Sequence, residues 1–193
     1  MCVEKMESKK AFIKFNNEGI IIGRLLVAYA DIELSLFHCV NVTRDDFDTV
    51  YKAMFKERGE SRRIGMADTF GRQNYHKLGL GTQFEMAISS VRYCLKIRNQ
   101  YAHCVWYDDS SGFLAYANLE EGTESNKAVH NFKELTIRHI DIATLNLQEQ
   151  YFEYTDSLLA WVNFEGRRIA GKPSKPPKPA PKQIKQPKLY LEI

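Results

Sequence analysis

The chain has 193 residues, of which 44% are apolar and 26% charged, with a formal net charge of +3. That composition is ordinary for a globular protein with its own core, and no apolar run approaches the ~18–20 residues needed to cross a bilayer. Six lysines against one glutamate in residues 171–193 carry a net +5 and leave the first 170 residues at −2, which excludes a strongly basic nucleic-acid-binding body.

The N-terminus lacks the apolar stretch of a signal peptide, so a cytoplasmic protein with no membrane partner is expected. Cys2, Cys39, Cys94 and Cys104 are scattered, with neither Cys-x-x-Cys nor zinc-type spacing. Reduced thiols are expected, with Cys39 and Cys94 as small core residues and no disulfide framework or metal site. No phosphate-binding glycine motif occurs, so no cofactor is expected either.

All six prolines fall at or after Pro173, which suits long uninterrupted helices before it. Residues 1–15 read as an N-terminal arm. A first helix starts after the capping pair Asn16-Asn17 and runs to about residue 40. Ile22, Leu26, Tyr29, Leu36 and Val40 form its apolar stripe. Glu33 falls on that stripe. A second helix covers about 45–58, with Phe47, Val50, Tyr51, Met54 and Phe55 as its apolar face, and Gly59 ends it. Ser61 caps a third helix that carries Ile64, Met66, Ala67, Phe70 and Tyr75, with Gly65 and Gly71 as weak points. Thr82 and Glu85 fit a capping box for a fourth helix, whose period persists to about residue 107.

Residues 108–112 break that period. Segments 113–119 and 128–132 read as a β-hairpin joined by a polar loop. Thr136 caps a last helix over about 137–170, with Tyr151, Tyr154, Leu158 and Trp161 on its buried side. Residues 171–193 read as a disordered Pro/Lys-rich tail, extended and partly polyproline II. The expected fold is therefore mainly all-α: one domain over 16–170, a bundle of about five helices with a small β-hairpin inserted before the last.

The fourth helix carries the chemistry. At ~100° per residue, Arg92, Lys96, Asn99 and His103 share one polar stripe, and Asn99 and His103 touch at a spacing of four. His103 is the natural proton-transfer residue. Arg98 projects roughly 140° away from it, into an apolar arc of Ala87, Val91, Cys94, Tyr101 and Val105. An arginine there needs a partner. Glu33 is in the matching position on the first helix, and the two are expected to pair. His38, His76, His130 and His139 sit in no comparable pattern.

The run Arg98-Asn99-Gln100-Tyr101-Ala102-His103 resembles the Arg-x(4–6)-His motif of HEPN domains, and the helices around it resemble that architecture over about residues 16–170. The resemblance implies a helical bundle that dimerises. It also implies a metal-independent endoribonuclease of the kind found in toxins, phage-defence systems and RNA-processing factors. Arg98 and His103 match the motif pair, and Asn99 matches the polar residue that often follows the arginine. Some toxin members add a tyrosine two residues after the histidine; here that position is Val105 and the nearest tyrosine is Tyr107, which departs from that subgroup. The implied catalytic set is Arg98, Asn99 and His103, with Arg92, Lys96 and Tyr107 facing RNA.

Those residue types suit cleavage by the 2′-hydroxyl of RNA, which needs proton transfer and stabilisation of charge on phosphate oxygens. The angular offset of Arg98 from His103 favours a composite site between two copies related by a two-fold axis. A structural role fits the same residues: Arg98 as a buried ion-pair member, Asn99 and His103 as a helix-end hydrogen-bond network. The chain is then a non-catalytic dimerisation module that offers residues 171–193 to a protein partner, with Leu189-Tyr190-Leu191 docking on a sheet edge or groove.

Overall fold

The computed structural model describes residues 8–120 and 134–192. Its elements are α1 (Ser8–Lys14), α2 (Asn16–Arg44), α3 (Phe47–Lys56), α4 (Glu60–Lys77), α5 (Gly81–Ala102), β1 (Cys104–Tyr107), β2 (Leu114–Asn118), β3 (Ile137–Ile140) and α6 (Ile142–Ile169). The fold is mainly helical, with a small antiparallel sheet between α5 and α6, as expected for an all-α protein with an insertion before its last helix. The chain divides into two compact units, to which α2, α5 and α6 each contribute residues.

The first unit comprises Met1–Leu26, Lys96–Gln150 and Pro187–Ile193. Its centre is β2, where Leu114, Ala115, Tyr116 and Ala117 are all buried. A strand covered on both faces must satisfy its backbone on both edges. β2 does so in the sheet order β1-β2-β3, pairing Trp106 with Tyr116 on one side and Tyr116 with Arg138 on the other. Phe12, Tyr101, Trp106 and Tyr116 form an aromatic core with ring centroids 5.0–5.9 Å apart. The expected N-terminal arm is thus helical over Ser8–Lys14 and packs Phe12 on Trp106.

The hairpin differs from the sequence reading. Its expected second strand, 128–132, lies outside the described residues. The partners of β2 come instead from segments read as helix: β1 from the end of the fourth helix and β3 from the first turn of the last. Short apolar runs such as Cys104–Tyr107 fit either period, and pairing with a buried strand decides the matter. Asp141, not Thr136, caps the last helix, its Oδ1 accepting from the Thr144 amide at 2.8 Å.

The second unit comprises Val27–Leu95 and Tyr151–Gln186. Asp46 caps α3 by accepting from the Thr49 amide. Tyr75 and Phe84 stack in the core at 4.5 Å, and the Tyr75 hydroxyl donates to the Cys39 carbonyl at 2.8 Å. Cys39 and Cys94 are fully buried, and burial pushes each thiol up to about 12. Gly71 is a site of close approach: a Cβ there would stand 3.0 and 3.1 Å from two atoms of the Phe84 ring, with a third closer still. Gly65 faces open space.

Glu33 is ion-paired, as its place on an apolar stripe requires, with Arg63 of α4 as a partner. Arg63 Nη1 lies 3.0 and 2.8 Å from the two carboxylate oxygens. Periodicity identifies the face a charge occupies, not which neighbouring helix reaches it. The carboxylate of Glu85, expected in a capping box, accepts from Arg72 at 2.6 Å and meets His76 at 3.1 Å.

The Pro/Lys-rich tail, expected to be disordered, is extended and docked. Along α6 in the second unit, Arg167 Nε donates to the Pro173 carbonyl (2.7 Å), Ser174 Oγ to the Phe164 carbonyl (2.5 Å) and Trp161 Nε1 to the Lys178 carbonyl (2.7 Å). In the first unit, Gln148 Nε2 donates to the carbonyls of Lys188 (2.8 Å) and Leu189 (3.2 Å). A proline-rich backbone keeps its carbonyl acceptors while losing amide donors, so side-chain donors can hold it without any core of its own.

Candidate functional site

The site lies in the first unit, where α5 ends. A helix leaves its last carbonyls without partners inside the helix. Here Asn118 Nδ2 donates to the Asn99 carbonyl at 3.0 Å, and Cys104 Sγ to the Gln100 carbonyl at 2.6 Å. The Leu119 amide then donates to the His103 carbonyl at 3.0 Å. The bonds from Asn118 and Leu119 tie the end of α5 to the end of β2.

The tie brings His103 to Glu120. The imidazole Nε2 lies 3.4 Å from Glu120 Oε1, with the two side chains 50% and 61% exposed. Glu120 is itself placed by a local turn, its amide donating to Asn118 Oδ1 at 2.9 Å. An exposed imidazole backed by a carboxylate can accept a proton from a substrate and hold the resulting charge.

Arg98 and Asn99 belong to the last turns of α5, before this pair. Both are half-buried, and Arg98 Nη1 donates to Asn99 Oδ1 at 3.0 Å. The expected Asn99–His103 contact is replaced by this one, because His103 lies past Ala102, the last helical residue, where the spacing of four no longer holds. Asn99 therefore orients the guanidinium through its side chain and anchors Asn118 through its carbonyl.

Of the expected RNA-facing residues, Arg92 and Lys96 are both exposed on α5. Arg92, in the second unit, donates to Asp68 Oδ2 at 3.0 Å within a chain of ion pairs that runs through Arg72 and Glu85 to His76. Asp68 is partly buried, yet its hydrogen bonds to the two guanidiniums hold its carboxyl below the usual range. Tyr107 lies on β1 with its hydroxyl buried, and burial pushes the phenol up to about 12.

Glu120 and Asn118 escaped the sequence reading. The only local signal was the Asn-x-Glu spacing of a side-chain-to-backbone turn; their relation to α5 is tertiary. Among the described residues, no group of three or more His, Cys, Asp and Glu side chains is arranged to hold a metal ion. No helix among the described residues is long and apolar enough to cross a membrane. Comparison with protein families, with characterised proteins and with solved structures finds no match for this chain.

Proposed function

We propose that the chain is a cytoplasmic, metal-independent endoribonuclease of HEPN type that acts as a homodimer. The observation that carries this reading is the exposed His103–Glu120 pair just past the end of α5, the helix whose last turns hold the bonded Arg98 and Asn99. His103 takes the proton of a 2′-hydroxyl. The freed oxygen attacks the adjacent phosphorus, and the bond to the 5′-oxygen breaks. The products are a 2′,3′-cyclic phosphate and a 5′-hydroxyl end. Glu120 steadies the imidazolium, and the Arg98 guanidinium offsets charge on the non-bridging oxygens. The same residues of a second copy supply the acid that protonates the leaving oxygen.

The test is cleavage of a mixed RNA pool in excess EDTA, with end-group analysis. A positioned acid–base group contributes ~10²–10⁴-fold, so His103→Ala should lose at least about 100-fold while keeping its helical circular dichroism. Glu120→Gln should lose less. A second reading, a non-catalytic dimerisation module, is favoured by one observation: Arg98, Asn99 and Asn118 spend hydrogen bonds on one another. It predicts that purified dimer cleaves no RNA and that Asn118→Ala lowers the melting temperature.

A further inference from the structure

The last residues of the first unit occupy a built site. In the order β1-β2-β3, the far edge of β3 is open to an added strand. There the Leu191 amide donates to the His139 carbonyl at 2.8 Å, as an antiparallel bridge. Gln148, with no exposed surface, clamps the carbonyls of Lys188 and Leu189 through Nε2 and accepts from the Tyr101 hydroxyl through Oε1 at 2.6 Å. The Arg138 guanidinium lies 4.3 Å from the Tyr190 ring centre, and Pro187 is buried. Backbone groups and one aromatic ring make these contacts, which is the recognition mode of strand addition. Any copy of the segment satisfies them equally.

Residues 173–178 are held on α6, but among the described residues none of 179–186 makes a hydrogen bond, and all except Pro181 are exposed. At ~3.1 Å per residue, this eight-residue segment reaches about 25 Å. Exchange of a terminal element between identical copies keeps every docking contact and changes only such a hinge. The charge balance assists: the tail carries +5 and the first 170 residues −2.

We propose that residues 187–192 form an exchangeable strand. The groove of Gln148 and the β3 edge accepts it from a second copy of the chain, so two copies link by reciprocal exchange. This linkage is independent of whether His103 cleaves RNA, because none of its residues belongs to that site.

Two full-length variants test it. Leu191→Pro removes the bridging amide from the tail and leaves the groove; Gln148→Ala removes the clamp and leaves the tail. The two are mixed with tags of different mass and read by native mass spectrometry. Random pairing makes the mixed dimer equal to the two homodimers together. Exchange makes it exceed them, because a working groove and a working tail meet only in the mixed pair. Arg138→Ala serves as a second groove variant if Gln148→Ala unfolds. In the same mixture, hydrogen exchange at the Leu191 amide of the groove variant should slow when the Leu191→Pro chain is added. A mixed dimer no more abundant than the homodimers, no dimer at all, or an amide that exchanges equally fast with and without the second chain overturns the proposal.

Discussion

Gly65 and Gly71 lie in the same helix, six residues apart, and the structure separates their roles. An alanine in place of a helical glycine gains ~1 kcal/mol from backbone entropy wherever its methyl has room. At Gly65 nothing stands within 4 Å of the added Cβ, so Gly65→Ala should stabilise the protein by about 0.5–1 kcal/mol. At Gly71 the methyl enters the ring of Phe84, which is fully buried and stacked on Tyr75 at 4.5 Å. The ring cannot swing aside without opening that stack. Overpacking costs ~1–3 kcal/mol, so after the propensity gain Gly71→Ala should be destabilising by up to about 2 kcal/mol. Urea unfolding of both variants, at unchanged m-value, measures the difference. Adding Phe84→Leu should recover part of the Gly71→Ala loss, a coupling expected of residues in contact. Equal stability of the two alanine variants, or a more stable Gly71→Ala, would refute the packing argument.

Two further outcomes follow from titratable groups. Burial works against ionisation of Asp109, but hydrogen bonds from Ser111 and His139 outweigh it and hold the carboxyl at about 2. A depressed carboxylate contributes stability above its unfolded value of ~3.9 and loses it as pH falls through the folded value. Wild type should therefore lose more thermal stability than Asp109→Asn as the pH drops from about 4 to about 2; parallel melting curves would count against the bond. Cys39 and Cys94, with thiols pushed up to about 12, should resist iodoacetamide in the native protein and react once it is denatured. Peptide mapping that finds either cysteine alkylated under native conditions would contradict their burial.

The helical body was legible in the sequence because proline is absent before Pro173 and the apolar stripes are long. The first long helix was expected just after Asn16-Asn17, and α2 begins at Asn16. The sheet was half legible. Leu114–Asn118 stood out, but Cys104–Tyr107 and Ile137–Ile140 continue or precede a helical period, and only pairing with a buried strand makes them extended. Glu33 shows the same limit: the need for a cation followed from its stripe, while Arg63 as that cation depends on how α4 lies. At the candidate site, the placing of Arg98 and His103 at a helix end was visible. Glu120 was not, because it reaches His103 through bonds between β2 and the carbonyls of α5.

The most direct measurement is single-turnover cleavage of a labelled RNA in excess EDTA by wild type and by a folded His103→Ala variant. Wild type should give cyclic-phosphate ends, and the variant should lose at least about 100-fold. Equal cleavage by both proteins, or none by pure wild-type dimer on any RNA of the pool, would contradict it.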